Sequence, residues 1–411
     1  MQRAWVVWLA VVGVAAAGRA QPLATLRAVR QITAPASTRL IVEFSQPVRY
    51  RLERLAARPE LSVPARLSIE FPDTAPPSVL RDGMDFTEGP LVRLRAAWPG
   101  GAITRLILDV PGLSDFGVFP MPDPFRLVID VRGTPRAGPV RGVSQTPSQP
   151  QRLAAVTRPG AAALPLAPAV PAPAVPPRRR IKIVLDPGHG GRDPGARSAD
   201  GVPEKDVVLA IAHHLEERLQ AVPDVDVVLT RTTDVFLALE ERTARANAEQ
   251  ADLFVSIHAN ASPDGNLSGV ETYFLNNTND RATIRLAEME NGLRQTTGRK
   301  HADREVALIL SDLIQSYKVQ ESVALAGSIQ HELVGVLDAK GTPVNDLGVK
   351  RGPFYVLVGA GMPCVLVEVS FVSHAQEGRR LAQPAYQDAI AEGLLRGIRR
   401  FVENARVAEN L

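Results

Sequence analysis

The stretch Ile181-Lys-Ile-Val-Leu-Asp-Pro-Gly-His-Gly-Gly191 decides the fold of the C-terminal half of this chain. Residues 181–185 are mostly aliphatic and β-branched, which is typical of a buried strand. Proline cannot continue a central strand, so the strand is predicted to end at Asp186-Pro187. The glycines that follow allow the backbone to pass close to another group. His189 is thereby placed at the carboxyl end of a core strand, where open α/β sheets bind their ligands.

Strand and helix patterns alternate through 181–404, which predicts an α/β domain with a mostly parallel central sheet flanked by helices. Residues 205–221 and 237–250 have helical periodicity, and the second segment is expected to point alternating charges to solvent. Further strands are predicted at 225–229, 252–258, 269–275, 354–357 and 364–369. Cys364, the only cysteine, falls in the last strand and is expected to be a buried, unreactive thiol.

The N-terminal part of the chain has a different pattern. Residues 24–133 contain short runs of β-forming residues separated by clusters of Pro, Gly, Asp and Ser, which predicts a small all-β sandwich. Residues 134–180 contain eleven prolines and seven arginines but no acidic or aromatic residue. Such a segment buries too little apolar surface to fold, so a disordered linker is predicted.

The first twenty residues indicate export. Arg3 is followed by an apolar run, 4–17, that ends in small residues, which is the pattern of a signal peptide at 1–20. The run is shorter than the ~20 apolar residues of a membrane span, so no integral membrane segment is expected in the mature chain. A net charge of +3 is too small to indicate nucleic-acid binding.

Two histidines are candidates for binding a transition metal. His189 and His258 each follow or end a predicted core strand, and parallel strands bring such ends to one edge of the sheet. A catalytic zinc site needs three protein ligands and an open position. Glu204, at the start of the first helix, is the third candidate, although a carboxylate there is also favoured by the helix dipole. The histidines on predicted helices, His213, His214, His301 and His331, are expected to be surface or packing residues.

Glu368 is a carboxylate within an otherwise apolar strand. Burying it without a partner would cost several kcal/mol, so it needs either a partner or a chemical task. As a general base and acid it could take a proton from water and return it to a leaving amine. A structural ion pair is the alternative.

Four motifs, in this order, resemble the zinc-dependent N-acetylmuramoyl-L-alanine amidases. They are Leu185-Asp-Pro-Gly-His-Gly-Gly191, Glu204-Lys-Asp, Ser256-Ile-His-Ala-Asn260 and Glu368-Val-Ser-Phe-Val-Ser373. The resemblance implies hydrolysis of the amide between N-acetylmuramic acid and the L-alanine of the peptidoglycan stem peptide. It implies Zn²⁺ as the cofactor, with His189, Glu204 and His258 as ligands and Glu368 as the catalytic residue.

The resemblance leaves three residues with open roles. Asp186 and Asn260 are candidates for orienting the ligating imidazoles, although Asn260 could equally cap the next turn. The family often has asparagine where this chain has His374, which could contact substrate or simply begin a helix.

The whole chain resembles the periplasmic division amidases of Gram-negative bacteria. Residues 24–133 resemble the AMIN domain that directs such enzymes to peptidoglycan, which implies a periplasmic protein that splits septal cell wall. In these amidases a helical insertion plugs the active site until a LytM-type activator protein displaces it. The insertion is expected at 277–320, with Glu288 and Glu290 as candidate plugging residues and an apolar docking face within 304–317. Alternatively, this insertion merely packs on the domain.

Of three other functions, two stay open at this point. The chain could be a zinc peptidase that acts on another envelope substrate, or a non-catalytic peptidoglycan-binding protein. A nucleotide-binding protein is disfavoured because Gly188-His-Gly-Gly-Arg-Asp193 matches neither a dinucleotide fingerprint nor a phosphate-binding loop.

Overall fold

The computed structural model describes residues 22–61, 63–122, 124–136, 179–292 and 316–409. The predicted signal peptide at 1–20, most of the predicted linker and residues 293–315 of the predicted insertion lie outside the described residues. So do His301 and most of the predicted docking face. Within the described segments, no helix combines the length and the hydropathy that a membrane crossing requires.

The N-terminal region is the predicted all-β sandwich. Its strands are β1 (Leu26–Ala34), β2 (Ser37–Phe44), β3 (Arg51–Leu55), β4 (Arg66–Pro72), β5 (Met84–Asp85), β6 (Arg93–Gly100), β7 (Ile103–Asp109), β8 (Leu113–Met121) and β9 (Arg126–Gly133). They form two antiparallel sheets with the orders β1-β2-β9-β8 and β3-β4-β7-β6-β5. Alternate side chains such as Leu67, Ile69 and Leu127 point between the sheets and form one apolar core.

The C-terminal region is an α/β domain around a six-stranded sheet. Its strands are β10 (Ile181–Pro187), β11 (Val225–Leu229), β12 (Leu253–Asn260), β13 (Val270–Leu275), β14 (Asp346–Gly352) and β15 (Cys364–Phe371). Its helices are α1 (Glu204–Gln220), α2 (Leu239–Ala248), α3 (Arg281–Glu290), α4 (Ser316–Ala339), α5 (Ala375–Leu381) and α6 (Pro384–Glu409). The strand order is β11-β10-β12-β15-β13-β14, and all neighbours are parallel except β13 and β15.

Both faces of this sheet are covered, which explains why its central strands are apolar on both sides. Apolar residues of α1, α4 and α6 pack on one face around Leu185, Val255 and Val367. The opposite face contacts α2, α3 and the segment before β15, and includes Phe254 and Leu366. This double burial fixes the positions of β10, β12 and β15 at the centre of the domain.

Two details of the sequence prediction are wrong. The strand expected at 354–357 is a 3-10 helix, Tyr355–Leu357, and the edge of the sheet is β14 instead. The apolar run 354–357 is buried in the core but does not pair with a strand. The edge strand β14 contains polar residues, so its sequence lacks the apolar pattern used to predict strands. The charges of α2 are also not all solvated, because Glu240 and Arg242 are each only 2% exposed.

Candidate metal centre

Three parallel strands end at one edge of the sheet and carry the candidate residues there. His189 follows β10, and His258 lies in β12 directly opposite Glu368 of the neighbouring β15. Glu204 is the first residue of α1, which begins after the loop that contains His189. Residues that are far apart in sequence are thus brought together by the parallel arrangement of the strands.

The loop that carries His189 has an unusual backbone. His189 has a φ of 58°, in the left-handed region that side chains other than glycine rarely adopt. Two buried arginines hold the loop through its carbonyl oxygens. Arg242 donates to the oxygens of Pro187 and His189, and Arg231 donates to those of Pro187 and Gly188. The sequence analysis missed both arginines, because nothing in their spacing links them to the loop.

The donor atoms of His189, Glu204, His258 and Glu290 all lie within 4.8 Å of one another. Nε2 of His189 is 3.2 Å from a carboxylate oxygen of Glu204 and 3.2 Å from one of Glu290. Nδ1 of His258 is 3.2 Å from Glu204 and 2.9 Å from Glu290. A tetrahedral zinc site with bonds of 2.0–2.1 Å has ligands about 3.3 Å apart, which these distances approach. The two imidazoles and two carboxylates therefore fit a divalent cation.

The two carboxylates of the cluster favour positive charge on or between the donor groups. Burial acts to lower the pKa of His258, but the charge of Glu290 and hydrogen bonds to Glu204 and Glu290 outweigh it and raise this pKa to about 10. The pKa of His189 is likewise raised well above 6.5 by Glu204 and Glu290, against the effect of burial. Two buried carboxylates thus demand positive charge between them, which either protons on the imidazoles or a cation can supply.

A carboxylate near the cluster orients His189. Nδ1 of His189 is 2.9 Å from Asp193, which leaves Nε2 facing the other donors. The sequence analysis missed Asp193, although its place in the same glycine-rich loop, four residues after the histidine, was a usable signal. The two residues expected in this role contact other groups. Asp186 accepts from Thr230, Ser256 and Arg242, and Asn260 donates to Glu271.

Glu368 lies beside the cluster with no partner of its own. Its side chain is fully buried, and neither carboxylate oxygen has a hydrogen-bond partner among the described residues. Burial, reinforced by the charge of Glu290, raises the pKa of Glu368 well above 4.5. The structural ion pair considered as an alternative does not form within the described part of the chain. A buried carboxylate next to a candidate metal-binding cluster is a candidate proton carrier.

The structure distinguishes between the two candidate plugging residues. Glu290, the last residue of α3, points into the cluster and its side chain is 5% exposed. Glu288, on the same helix, is only partly buried and is not among the cluster residues. Leu286 and Ala287 anchor α3 in the apolar layer on that face of the sheet.

The remaining sequence candidates have structural contacts. His213 lies on α1 beside Glu216, and the Nδ1 of His374 accepts from the backbone N–H of Glu377 at the start of α5. The hydroxyls of Ser256 and Ser370 donate to Asp186 and Glu377, so neither is arranged as a nucleophile. Cys364 is buried, as expected.

Gly188 tests how tightly the cluster is packed. A Cβ at this position would lie 2.4 Å from Cε1 and 2.5 Å from Nε2 of His258. Gly188→Ala should therefore displace the imidazole and weaken binding of a divalent cation by about tenfold or more, as measured by competition with a chromogenic chelator. Gly335→Ala is the control, because a Cβ there meets no atom of the described residues within 4 Å. Equal cation affinity of both variants would contradict this packing of His258.

Comparison with known proteins places the domain in a family. A family model described as N-acetylmuramoyl-L-alanine amidase matches residues 183–400. The N-acetylmuramoyl-L-alanine amidase AmiC of Escherichia coli O6:H1 is 35% identical over 234 residues, which are 56% of this chain and 55% of AmiC. AmiA of Salmonella typhimurium is 34% identical over 223 residues, which are 53% of this chain and 74% of AmiA.

A crystal structure of N-acetylmuramoyl-L-alanine amidase from Clostridium difficile 630 superposes with a TM-score of 0.43 and 29% identity, and the match covers 55% of this chain and 98% of the other. The chain spans about half the length of AmiC. The family model spans more than half of the 411 residues and includes His189, Glu204, His258 and Glu368. The chain therefore belongs to the N-acetylmuramoyl-L-alanine amidase family.

Proposed function

We propose that this protein is a zinc-dependent hydrolase of peptidoglycan. It cleaves the amide between N-acetylmuramic acid and the L-alanine of the stem peptide. One observation carries the proposal: the donor atoms of His189, Glu204 and His258 converge at a sheet edge where Glu368 is buried without a hydrogen-bond partner among the described residues. Membership of the amidase family supports the substrate class.

In the proposed mechanism, His189, Glu204 and His258 hold Zn²⁺, which would polarise the scissile carbonyl and acidify a water molecule. Glu368 takes the proton from that water and delivers it to the leaving amine. Burial raises the pKa of Glu368, which favours return of the proton to the amine. Asp193 keeps Nε2 of His189 directed at the cluster.

The same proposal includes autoinhibition by α3. A catalytic zinc site keeps one coordination position open for water, whereas here the carboxylate of Glu290 takes up the fourth place in the cluster. In this form the site is closed, and α3 must move before substrate can bind. We assign that displacement to a LytM-type activator protein.

The cellular setting is part of the proposal. A signal peptide at 1–20 would carry the chain to the periplasm, and the N-terminal β-sandwich would act as an AMIN domain that binds peptidoglycan. The enzyme would then split septal cell wall as daughter cells separate. The all-β architecture of this region and the relatives named AmiC and AmiA support this setting.

Purified peptidoglycan tests the activity directly. The mature protein is incubated with peptidoglycan and Zn²⁺, and the soluble products are identified by mass spectrometry. Stem peptides that begin with L-alanine, lost on addition of a chelator, are expected. Peptide fragments cut within the stem would favour a zinc peptidase instead. Binding of peptidoglycan without any product, from protein with confirmed zinc, would favour a non-catalytic role.

The pH dependence of stability tests the charge balance of the cluster. In the metal-free protein the pKa of His258 is raised from 6.5 to about 10. The folded state therefore holds this proton more tightly than the unfolded state. The resulting stability is complete below pH 6.5 and is lost as pH rises toward 10. We expect the Tm of the chelator-treated protein to fall between pH 6.5 and 9.5, as followed by circular dichroism.

The zinc-bound protein is the control for this prediction. Zinc ligation requires a neutral imidazole, so the bound form carries no such proton and should not lose stability over the same range. A metal-free protein whose Tm stays constant or rises with pH would contradict the proposed contacts of His258.

A further inference from the structure

The N-terminal domain contacts α2 through a cluster of buried charges. The carboxylate of Glu240, whose side chain is fully buried, accepts from Arg126 at 2.6 Å and from Arg30 at 3.0 Å. Arg39, whose side chain is 4% exposed, donates to the backbone oxygen of Glu240 and to the hydroxyl of Thr243. Three arginines of one domain thus converge on one turn of a helix in the other.

Apolar and backbone contacts extend this interface. Ile41, Met121 and Val128 of the β-sandwich form one buried cluster with Tyr355 and Val358 of the α/β domain. The side chain of Arg39 also packs closely against the backbone of Gly359, since a Cβ there would lie 2.2 Å from Nη2 of Arg39. A buried, charge-paired and apolar interface of this kind holds its partners in one orientation.

The opposite side of α2 holds the loop of the metal centre. Arg242 donates to the carboxylate of Asp186 and to the backbone oxygens of Pro187 and His189, at 2.9 Å in each case. His189 needs this support because its backbone lies in the left-handed region, which is strained for a residue other than glycine. One helix therefore binds the N-terminal domain at Glu240 and Thr243 and the ligand-bearing loop at Arg242.

We propose that the N-terminal domain is a structural part of the metal centre: by clamping α2 through Arg39 and Arg126, it positions Arg242 and thereby the loop that presents His189. This role goes beyond binding peptidoglycan. It predicts that a change confined to the β-sandwich, far from the ligands in sequence, weakens zinc binding. The inference rests on the proposed zinc site, and its test distinguishes failure of the inference from failure of the zinc site.

Arg126→Gln is the decisive variant, because it leaves every residue of the α/β domain unchanged. A protease site is inserted within 137–178 of the full chain, and the cleaved protein is followed by gel filtration and by zinc competition with a chelator. The parent halves should elute together, and the parent should bind zinc. Arg126→Gln should weaken association of the halves by about tenfold or more, since the buried carboxylate of Glu240 loses one of its two arginine partners. It should also weaken zinc binding of the intact chain by about tenfold.

Arg49→Gln is the matched control, because Arg49 pairs with Asp73 inside the same domain and both side chains are exposed. It should leave both affinities within about twofold, in line with the small contribution of surface ion pairs. Glu240→Gln repeats the test from the other side of the interface if Arg126→Gln does not fold. The double variant should be no worse than Glu240→Gln alone, because Glu240→Gln already removes the ion pair with Arg126 together with that with Arg30.

The outcomes separate the inference from the proposed function. Two results would overturn the inference. In the first, the halves of the parent protein separate after cleavage. In the second, the halves of Arg126→Gln separate but the zinc affinity of the intact Arg126→Gln chain is unchanged. A parent that binds no zinc would refute the proposed metal centre, while the gel filtration still reports on docking. If only the interface variants lose both association of the halves and zinc affinity, the proposed role of the N-terminal domain is established.

Discussion

Replacing Glu368 by glutamine should lower kcat for peptidoglycan hydrolysis by about a thousandfold, within the range that general acid–base catalysis contributes. The amide keeps the size of the side chain but can neither take a proton from water nor return it to the amine. Zinc affinity should stay within about twofold of the parent, because Glu368 is not among the clustered donors. Product release from peptidoglycan and zinc competition measure the two effects.

Stability gives this prediction a second readout. The carboxylate of Glu368 is buried without a hydrogen-bond partner in the described part of the chain, so Glu368→Gln should leave the Tm unchanged or raise it. Glu271 is the matched control, because it lies opposite Glu368 on β13 but is paired with Lys350 and Asn260. Glu271→Gln should lower the Tm and keep most of the activity. An active Glu368→Gln enzyme would show that Glu368 is not the proton carrier.

Replacing Glu290 by alanine should raise basal hydrolysis about ten- to a hundredfold, because the open form of a two-state protein is typically 0.1–10% populated. The substitution removes the carboxylate that contacts both His189 and His258, so the fourth position of the cluster becomes free. The assay uses saturating Zn²⁺, since the loss of one donor also weakens metal binding. Rates of peptide release without any activator measure the effect.

Glu288→Ala is the control for autoinhibition. It removes the same chemical group from the same helix, at a position outside the cluster, and should change the basal rate by less than about twofold. Equal basal rates for Glu290→Ala and the parent, with zinc confirmed in both, would mean that Glu290 does not close the site. α3 would then merely pack against the domain.

Local sequence patterns determined the fold class and indicated the principal candidate residues of the site. An apolar strand that ends in Asp186-Pro187 and is followed by glycines places His189 at a strand end, whatever surrounds it. The same reasoning placed His258, and the apolar run around Glu368 made a lone carboxylate conspicuous. These inferences depend on residues within one strand and its loop, so neighbouring positions in the sequence are enough to make them.

Contacts between distant segments were decided only by the tertiary structure. Whether Glu288 or Glu290 reaches the cluster depends on where α3 packs, and the two residues are equally acidic in the sequence. Asp193, and not the expected Asp186, contacts the imidazole of His189. The left-handed turn at His189 brings the side chain of Asp193 back to Nδ1.

The charged residues of α2 show most clearly that the tertiary structure, and not the local sequence, decides which charges are buried. A helix with alternating charges is ordinarily solvated, and only the docked β-sandwich and the folded loop bury Glu240 and Arg242. The physical reason is that a buried charge is stable only beside its partner, and these partners come from segments up to 210 residues away. The sequence alone therefore indicated the candidate residues His189, Glu204, His258 and Glu368, and only the tertiary structure showed the buried contacts that surround them.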